Sequence, residues 1–372
     1  PLTTESPTTH DCPLPPSARP RGASERSAIL VTLDATMNAI LASVHLSPVG
    51  LSNQPYFRAF VCSALVAADA HLYIFVSPQQ TQRQLAELAA SVPRVHVLPN
   101  VANASLQHAR YENYLSLVRS HGFEKVVLAD AFDVVLQEDV FTRVEAPGLY
   151  VSEESARYTL GTQRSNALWV SALYGQETLV RLQRLPVLCS GFTAGTRHAM
   201  LVYLRRMAEE SRWRIVRRVS DEVRRAHGRD VARGFDQGIH NVLLHEGWDA
   251  AADGAVRPMD VLTANAQRCN GRGSLVQWNH TTARVCRRSG GCFAAVHQFG
   301  RLQPEACRWA VRFSLTCRPN TRKLRLRSNS SGAERHQHQE ATETLPPYCK
   351  MCDSLFPTWL GGSNLGWRNA SF

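Results

Sequence analysis

The sequence of 372 residues is poor in lysine and contains no long apolar run. Only three of its 42 basic residues are lysines, so arginine carries almost all of the formal charge of +11. The Lys-rich arms, zinc-finger spacings and RNP motifs of nucleic-acid-binding proteins are absent, and we therefore predict no nucleic-acid partner. The longest apolar runs, such as residues 28–33 and 72–76, are far shorter than the roughly 20 residues that cross a bilayer. The sequence thus predicts an arginine-rich solvated surface and no transmembrane helix.

Ten cysteines are present, and seven of them fall between residues 269 and 352. An even number of clustered cysteines is typical of disulfides formed in an oxidising compartment. The alternative is a zinc site on the C-x-x-C pair at residues 349–352, which lacks a second pair at a suitable spacing. N-glycosylation sequons occur at Asn103, Asn279, Asn329 and Asn369. Cysteines and sequons together indicate the secretory pathway lumen.

Residues 1–27 are rich in Pro, Ser and Thr and have too few apolar side chains to fold. We interpret them as a disordered stem, following a signal or membrane anchor that the given sequence does not contain. The expected localisation is the Golgi, as a type II membrane protein, or the extracellular space. Cys12 in this stem offers a covalent link between two chains and hence a homodimer.

Strand and helix patterns alternate over the following residues. Apolar runs predict strands at 28–33, 71–76, 95–98, 125–128 and 149–151, and helical periodicity predicts helices at 55–68, 81–92, 105–121, 194–207 and 211–226. Such alternation is typical of an α/β fold with a mostly parallel central sheet flanked by helices. We assign residues 28–317 to this domain, 318–347 to a polar low-complexity loop and 348–372 to a Cys-containing C-terminal tail.

Two carboxylates follow the apolar run at 125–128, which predicts a buried strand. Asp130 and Asp133 come directly after it. Ligands of open α/β sheets bind at the carboxyl ends of the strands, and carboxylate oxygens suit Mg²⁺ or Mn²⁺ that bridge the phosphates of a nucleotide. We therefore interpret both residues as metal ligands. The alternative is a turn in which an Asp only caps the backbone.

Three other polar segments are candidates for the same site. Arg110, in the helix before that strand, is a candidate phosphate contact, and Tyr111 is a candidate stacking partner for a base unless it packs in the core. Asp236 opens a polar helix start, for which the alternative is a helix N-cap. His297 follows an apolar segment and has the chemistry of a third metal ligand, although a single His in this setting also fits a structural role.

In order and spacing, these segments resemble the glycosyltransferases of the GT-A fold, the nucleotide-diphospho-sugar transferases, from about residue 29 to residue 301. The strand-end motif of that family, D-x-x-D-V-x-x-Q, is matched here by Asp130, Asp133, Val134 and Gln137. Residues 187–195 are similar to the family's N-S-G-x-x-x-G segment, residues 236–241 to its D-Q-x-x-x-N element, and residues 297–300 to the H-x-x-G of glycogenin-like members.

Three positions depart from the pattern of that family. Phe132 stands in place of an Arg, Val140 in place of a Pro and Cys189 in place of an Asn. These departures weaken any inference about the donor sugar, but they leave both carboxylates of the strand-end motif in place.

The resemblance implies a Rossmann-like GT-A domain that transfers a sugar from a nucleotide-sugar, with a UDP-sugar favoured, to a hydroxyl of a glycan or glycoprotein. It implies Mn²⁺, or Mg²⁺, bound by Asp130, Asp133 and His297. The donor contacts that it implies are Arg110, Tyr111, Asp130, Ser190, Gly191 and Gly300. The catalytic candidates are Asp236 and Gln237, and the glycogenin-like segments favour retention of the anomeric configuration.

Two other functions fit the sequence. The three departures would suit a non-catalytic lectin or scaffold that keeps the transferase fold. The arginine-rich segment at 205–233 would suit a protein that binds polyanions such as sulfated glycans.

Overall fold

The computed structural model describes residues 37–45, 55–77, 89–90, 92–100, 106–155, 157–216, 234–263, 276–279 and 284–301. Several predicted features lie outside these residues: the stem, the strand at 28–33, most of the helix at 81–92, the loop at 318–347 and the tail at 348–372. Five of the seven late cysteines also lie outside them.

The domain is built on a seven-stranded sheet. Its strands are β1 (Ala39–His45), β2 (His71–Ser77), β3 (Val95–Pro99), β4 (Lys125–Ala129), β6 (Leu149–Glu153), β7 (Leu188–Thr196) and β8 (Val256–Pro258), in the order β3-β2-β1-β4-β7-β6-β8. Of these seven, β7 runs antiparallel to its neighbours β4 and β6, and the other pairs are parallel. The predicted α/β class with a mostly parallel sheet is confirmed.

Two smaller sheets complete the strand structure. β5 (Val134–Leu136) pairs antiparallel with β12 (Ala295–His297), which pairs parallel with β9 (Val261–Thr263). β10 (Val276–Asn279) and β11 (Arg284–Arg287) form a hairpin-like pair. A disulfide joins Cys286 of β11 to Cys292, so at least this pair of the late cysteines is bonded as predicted.

Helices cover both faces of the main sheet. They are α1 (Pro55–Ala67), α2 (Leu106–Ser120), α3 (Arg164–Tyr174), α4 (Gln176–Leu182), α5 (Arg197–Glu210), α6 (Phe235–Val242) and the short α7 (Ala250–Asp253). Alternate residues of β1 enter two different cores: Ile40 packs with Phe57 and Phe60 of α1, and Leu41 packs with Tyr111 of α2. Because both faces are buried, five of the seven residues of this strand are apolar.

The predicted helices at 55–68 and 105–121 and the strands at 71–76, 95–98, 125–128 and 149–151 are all present within one or two residues. The strand β1 was not predicted. The helix predicted at 194–207 is wrong at its start, because residues up to Thr196 belong to β7 and α5 begins at Arg197. Backbone pairing with both β4 and β6 keeps these residues extended. Of the helix predicted at 211–226, the structure describes a π-helical turn, Ser211–Val216.

In the segments that the structure describes, no helix combines the length and the apolar character that crossing a membrane requires.

Candidate functional site

The candidate site lies at the carboxyl end of β4. β1 is flanked by β2 on one side and by β4 on the other, so the strand order changes direction between β1 and β4. A crevice at such a switch point is the usual ligand-binding place of an open α/β sheet. Asp130 is the first residue after β4, and its backbone N–H donates a hydrogen bond to the carbonyl of Gly191 on β7, at 3.0 Å.

Strand pairing brings the third ligand candidate to the two carboxylates. His297, the last residue of β12, is paired with Val134 of β5, and Asp133 directly precedes Val134. His297 Nε2 lies 3.4 Å from Asp133 Oδ1 and 3.8 Å from Asp130 Oδ2. One ligand atom from each of the three residues lies within 4.8 Å of the other two, a spacing that could hold a metal ion. The structure therefore brings the three predicted metal ligands together.

Two buried atoms of this cluster are candidates for binding a ligand. His297 Nε2 and Asp133 Oδ1 are both buried, and beyond the ion pairs within the cluster neither atom has a hydrogen-bond partner among the described residues. Gly191 lies against them: a Cβ at this position would come within 2.4 Å of His297 Nε2 and 2.9 Å of Asp130 Oδ2. The missing side chain thus keeps open the space that faces the ligand atoms. Two carboxylates and one imidazole are a donor set that suits a divalent cation.

Cys189 contacts the other nitrogen of the His297 ring. Its Sγ lies 3.0 Å from His297 Nδ1, and it is the one free cysteine among the residues described. Burial disfavours the charged imidazole, but Cys189 and Asp133 outweigh this effect and raise the pKa of His297 well above its ordinary value. Neighbouring groups that stabilise positive charge on this buried imidazole would also stabilise a bound cation.

Arg110 links Asp130 to Asp236, two residues far apart in the sequence. Its guanidinium donates to Asp130 Oδ1 at 2.8 Å and to Asp236 Oδ2 in a short ion pair. The Tyr111 hydroxyl also donates to Asp236 Oδ2, at 3.2 Å. Desolvation in the crevice raises the pKa of the Asp130 carboxyl, Arg110 opposes that rise, and neighbouring Asp133 adds to it. The predicted catalytic residue Asp236 is therefore connected to the candidate metal ligands through one half-buried Arg.

Tyr111 occupies a different position from the one predicted. Only 1% of its surface is exposed, and its ring packs in the core between α2 and α5. The structure therefore does not support the predicted stacking of this ring on a nucleotide base. The tyrosine instead orients Arg110 and Asp236, since its hydroxyl contacts both of them.

A third group of polar side chains surrounds Gln237. Its amide nitrogen donates to Glu154 Oε1 at 2.8 Å and to Asn166 Oδ1 at 3.1 Å, and the Ser190 hydroxyl lies 3.4 Å from its amide oxygen. Sequence analysis missed Glu154. The sequence contained a signal for Glu154, because this carboxylate comes soon after the predicted strand at 149–151, as Asp130 comes soon after the predicted strand at 125–128. Burial raises the pKa of this carboxyl, and the hydrogen bond from Gln237 lowers it.

The loop after β12 fixes the position of His297. Gln298 has a φ of 56°, a left-handed conformation that side chains other than glycine seldom adopt. This turn allows the Phe299 N–H to donate to the carbonyl of Asp133 at 3.4 Å. Gly300, predicted to contact the donor, lies in the 3₁₀ turn Phe299–Arg301 that follows.

Other residues of the strand-end motif have structural roles. The side chain of Gln137 bonds the backbone of Val285 and Phe293, and Asp139 caps the 3₁₀ turn Val140–Arg143. The ring of Phe132 packs against Phe57 at 5.9 Å. These contacts hold the loop that carries Asp130 and Asp133.

Neither a protein-family model nor a curated protein matches the sequence of this chain.

Proposed function

We propose that this protein is a metal-dependent glycosyltransferase of the GT-A type, which transfers a sugar from a nucleotide-sugar to a hydroxyl of a glycan or glycoprotein. The observation that carries the proposal is the meeting of Asp130, Asp133 and His297 at the switch point of the sheet, where two buried ligand atoms have no hydrogen-bond partner outside the cluster among the described residues. The four motifs that resemble the family meet at the same crevice. The segment at 187–195 contacts the other three, through Asp130 N–H to Gly191, Ser190 to Gln237 and Cys189 to His297.

The chain's own residues have separable roles in this reaction. Asp130, Asp133 and His297 would hold Mn²⁺ or Mg²⁺. When bound, such a cation acts as a Lewis acid for the negative charge that develops on a leaving diphosphate. Arg110 is a fixed positive charge beside Asp130 and supports the same charge development, because preorganised groups of this kind cost no reorganisation during the reaction. Gly191 leaves room for a ligand against His297.

The acid–base and sugar-binding roles fall on the neighbouring helix α6. Asp236 is our candidate for general base or for stabiliser of an oxocarbenium-like centre, and Arg110 and Tyr111 fix the orientation of its carboxylate. Gln237, Glu154 and Ser190 present amide, carboxylate and hydroxyl groups suited to sugar hydroxyls. A retaining reaction and a UDP-sugar donor remain the favoured form of the proposal.

We also propose the secretory pathway lumen, and the Golgi in particular, as the compartment. The Cys286–Cys292 disulfide supports an oxidising environment. The stem and the homodimer through Cys12 belong to this proposal and fall on residues that the structure does not describe.

For the alternative of polyanion binding, the structure describes residues 205–216 of the arginine-rich segment at 205–233. The groove between α2 and α5 is lined by Arg119, Arg205 and Arg212, but Glu112 and Glu209 line it as well. Arg212 is paired with Glu112 at 2.8 Å. A surface of mixed sign attracts a polyanion less strongly than a uniformly basic one.

The test of the proposal is a screen of the full chain against UDP- and GDP-sugars, with and without Mn²⁺, that measures release of the nucleoside diphosphate. We expect turnover that requires Mn²⁺ with at least one donor. Asp133→Ala should abolish this turnover, and Asp69→Ala should not, because that carboxylate is exposed and precedes β2 at the opposite end of the sheet.

Other outcomes of the screen would overturn the proposal. Absence of both turnover and metal-dependent nucleotide binding across the panel, together with glycan binding, would indicate the lectin or scaffold. Salt-sensitive binding to sulfated glycans that survives in Asp133→Ala would instead indicate the polyanion-binding protein.

A further inference from the structure

We propose that Cys189 is a positioning residue for the metal site: its sulfur accepts a hydrogen bond from His297 Nδ1–H and so orients the ring with Nε2 directed at Asp130 and Asp133. The inference rests on the metal site of the proposed function and not on the transfer reaction.

The first step of the argument is the geometry of the ring. His297 has one nitrogen 3.0 Å from Cys189 Sγ and the other 3.4 Å from Asp133 Oδ1. A neutral imidazole carries its proton on one nitrogen only. A metal ligated through Nε2 requires that nitrogen to be bare, and the proton must then be on Nδ1 and point at the sulfur.

The second step is the need of a metal-binding His for such a partner. Histidines that ligate metals nearly always donate their second N–H to an acceptor, which fixes both the tautomer and the ring orientation. Among the described residues, the hydrogen-bond partner of His297 Nδ1 is Cys189 Sγ. No described carboxylate or backbone carbonyl takes that role.

The third step is the rigidity of the sulfur's own position. Cys189 is fully buried and lies on β7, where it is paired with Ser152 of β6. Asn241 holds the strand just before it, because its side chain both donates to the carbonyl and accepts from the N–H of Leu188, each at 2.8 Å. The acceptor is thus fixed relative to Asp130, which bonds Gly191 two residues further along the same strand.

The experiment compares Mn²⁺ affinity of the full chain, measured by electron paramagnetic resonance of free Mn²⁺ without nucleotide, in the parent protein, Cys189→Ala and Cys189→Ser. We expect Cys189→Ala to bind Mn²⁺ about 10- to 100-fold more weakly, the range found for outer-shell partners. Cys189→Ser should recover part of this loss because its hydroxyl also accepts a hydrogen bond. Val151→Ala, a buried truncation on the adjacent strand β6, should retain parental affinity even if it lowers the melting temperature.

A second comparison places the effect on His297. In the His297→Ala background, Cys189→Ala should cause no further loss of Mn²⁺ affinity if the sulfur acts through the ring. Should Cys189→Ala fail to fold, Cys189→Ser in the two backgrounds provides the same comparison. Equal affinities for the parent and both Cys189 variants would overturn the inference and leave the proposed function intact. If the parent protein binds Mn²⁺ but shows no turnover, the proposed transferase function is wrong and the inference about Cys189 is unaffected. If the parent protein binds no Mn²⁺, both are wrong.

Discussion

Two buried histidines of this protein have opposite electrostatic environments. His240 of α6 has no exposed surface, and His297 of β12 has 3% exposed. Burial, with smaller contributions from His245 and Arg110, lowers the pKa of His240 to about 3. Around His297 the same desolvation is outweighed by Cys189 and Asp133, which raise the pKa of the ring.

The difference shows that burial does not identify a functional histidine. The ring of His240 bonds the hydroxyl of Tyr203 at 2.7 Å and lies edge-on to that aromatic ring within the core. The ring of His297 instead lies between a sulfur and two carboxylates at the carboxyl edge of the sheet. Neighbouring anions, and not the imidazole itself, make the second position suitable for a cation.

The largest expected difference between the two regions is in metal binding. Replacing His297 by Ala removes a ligand, and the loss of Mn²⁺ affinity should exceed the about 10- to 100-fold effect of losing an outer-shell partner. His240→Asn should keep the parental affinity, because an Asn can still bond Tyr203 at the position of Nδ1. Mn²⁺-dependent shifts of the melting temperature measure both. A comparable loss in the two variants would show that the contrast between the histidines is not functional.

The next effect tests the space beside His297. In Gly191→Ala the added methyl group would lie 2.4 Å from His297 Nε2, and we expect loss of Mn²⁺ binding together with a decrease in the free energy of unfolding of about 1–3 kcal/mol from overpacking. Gly122→Ala is the matched control, since no described atom lies within 4 Å of its added Cβ. Urea denaturation and Mn²⁺ titration would report the two effects. Unchanged Mn²⁺ binding in Gly191→Ala would contradict the placement of the ligand.

The pH dependence of stability tests the region of His240. The folded pKa of this ring, about 3, is below the unfolded value of about 6.5, so the unfolded chain binds more protons between these pH values. The contribution of the neutral His240 ring to the free energy of unfolding is complete above a pH of about 6.5 and is lost as the pH falls toward 3. At pH 5 the loss is about 2 kcal/mol. His240→Asn should lose about that much less stability between pH 7 and pH 5 than the parent protein. Parallel pH profiles of the two proteins would show that His240 does not titrate in this way.

The smallest expected effect concerns the partner of His240. Tyr203→Phe removes the hydroxyl that bonds Nδ1 and should lower the free energy of unfolding by about 1 kcal/mol at neutral pH, the usual contribution of a hydrogen bond. Mn²⁺ affinity should not change, because this hydroxyl makes no described contact with Asp130, Asp133 or His297. Calorimetry and Mn²⁺ titration check the two parts, and a change in affinity would show that the two regions are coupled.

Local patterns in the sequence predicted part of this protein. Apolar runs predicted four of the twelve described strands (β2, β3, β4 and β6), and helical periodicity predicted α1, α2 and most of α5. An apolar strand followed by Asp130 and Asp133 predicted a site at its carboxyl end. The strand β1 was missed, although five of its seven residues are apolar, because the apolar run at 28–33 was predicted as the first strand instead. The strand part of the helix predicted at 194–207 was missed because β7 is held extended by two neighbouring strands, and a single-sequence pattern does not contain those partners.

The sequence by itself determined the type of fold and the chemistry of the candidate ligands, because alternation of apolar residues and the identity of side chains are local properties. Only the tertiary structure decided which of these side chains meet. His297 reaches Asp133 through the pairing of β12 with β5, Arg110 bridges Asp130 to Asp236, and Cys189 reaches the ring of His297 across more than a hundred residues. Such contacts depend on strand order and on the closing of long loops, for which the chain carries no local signal.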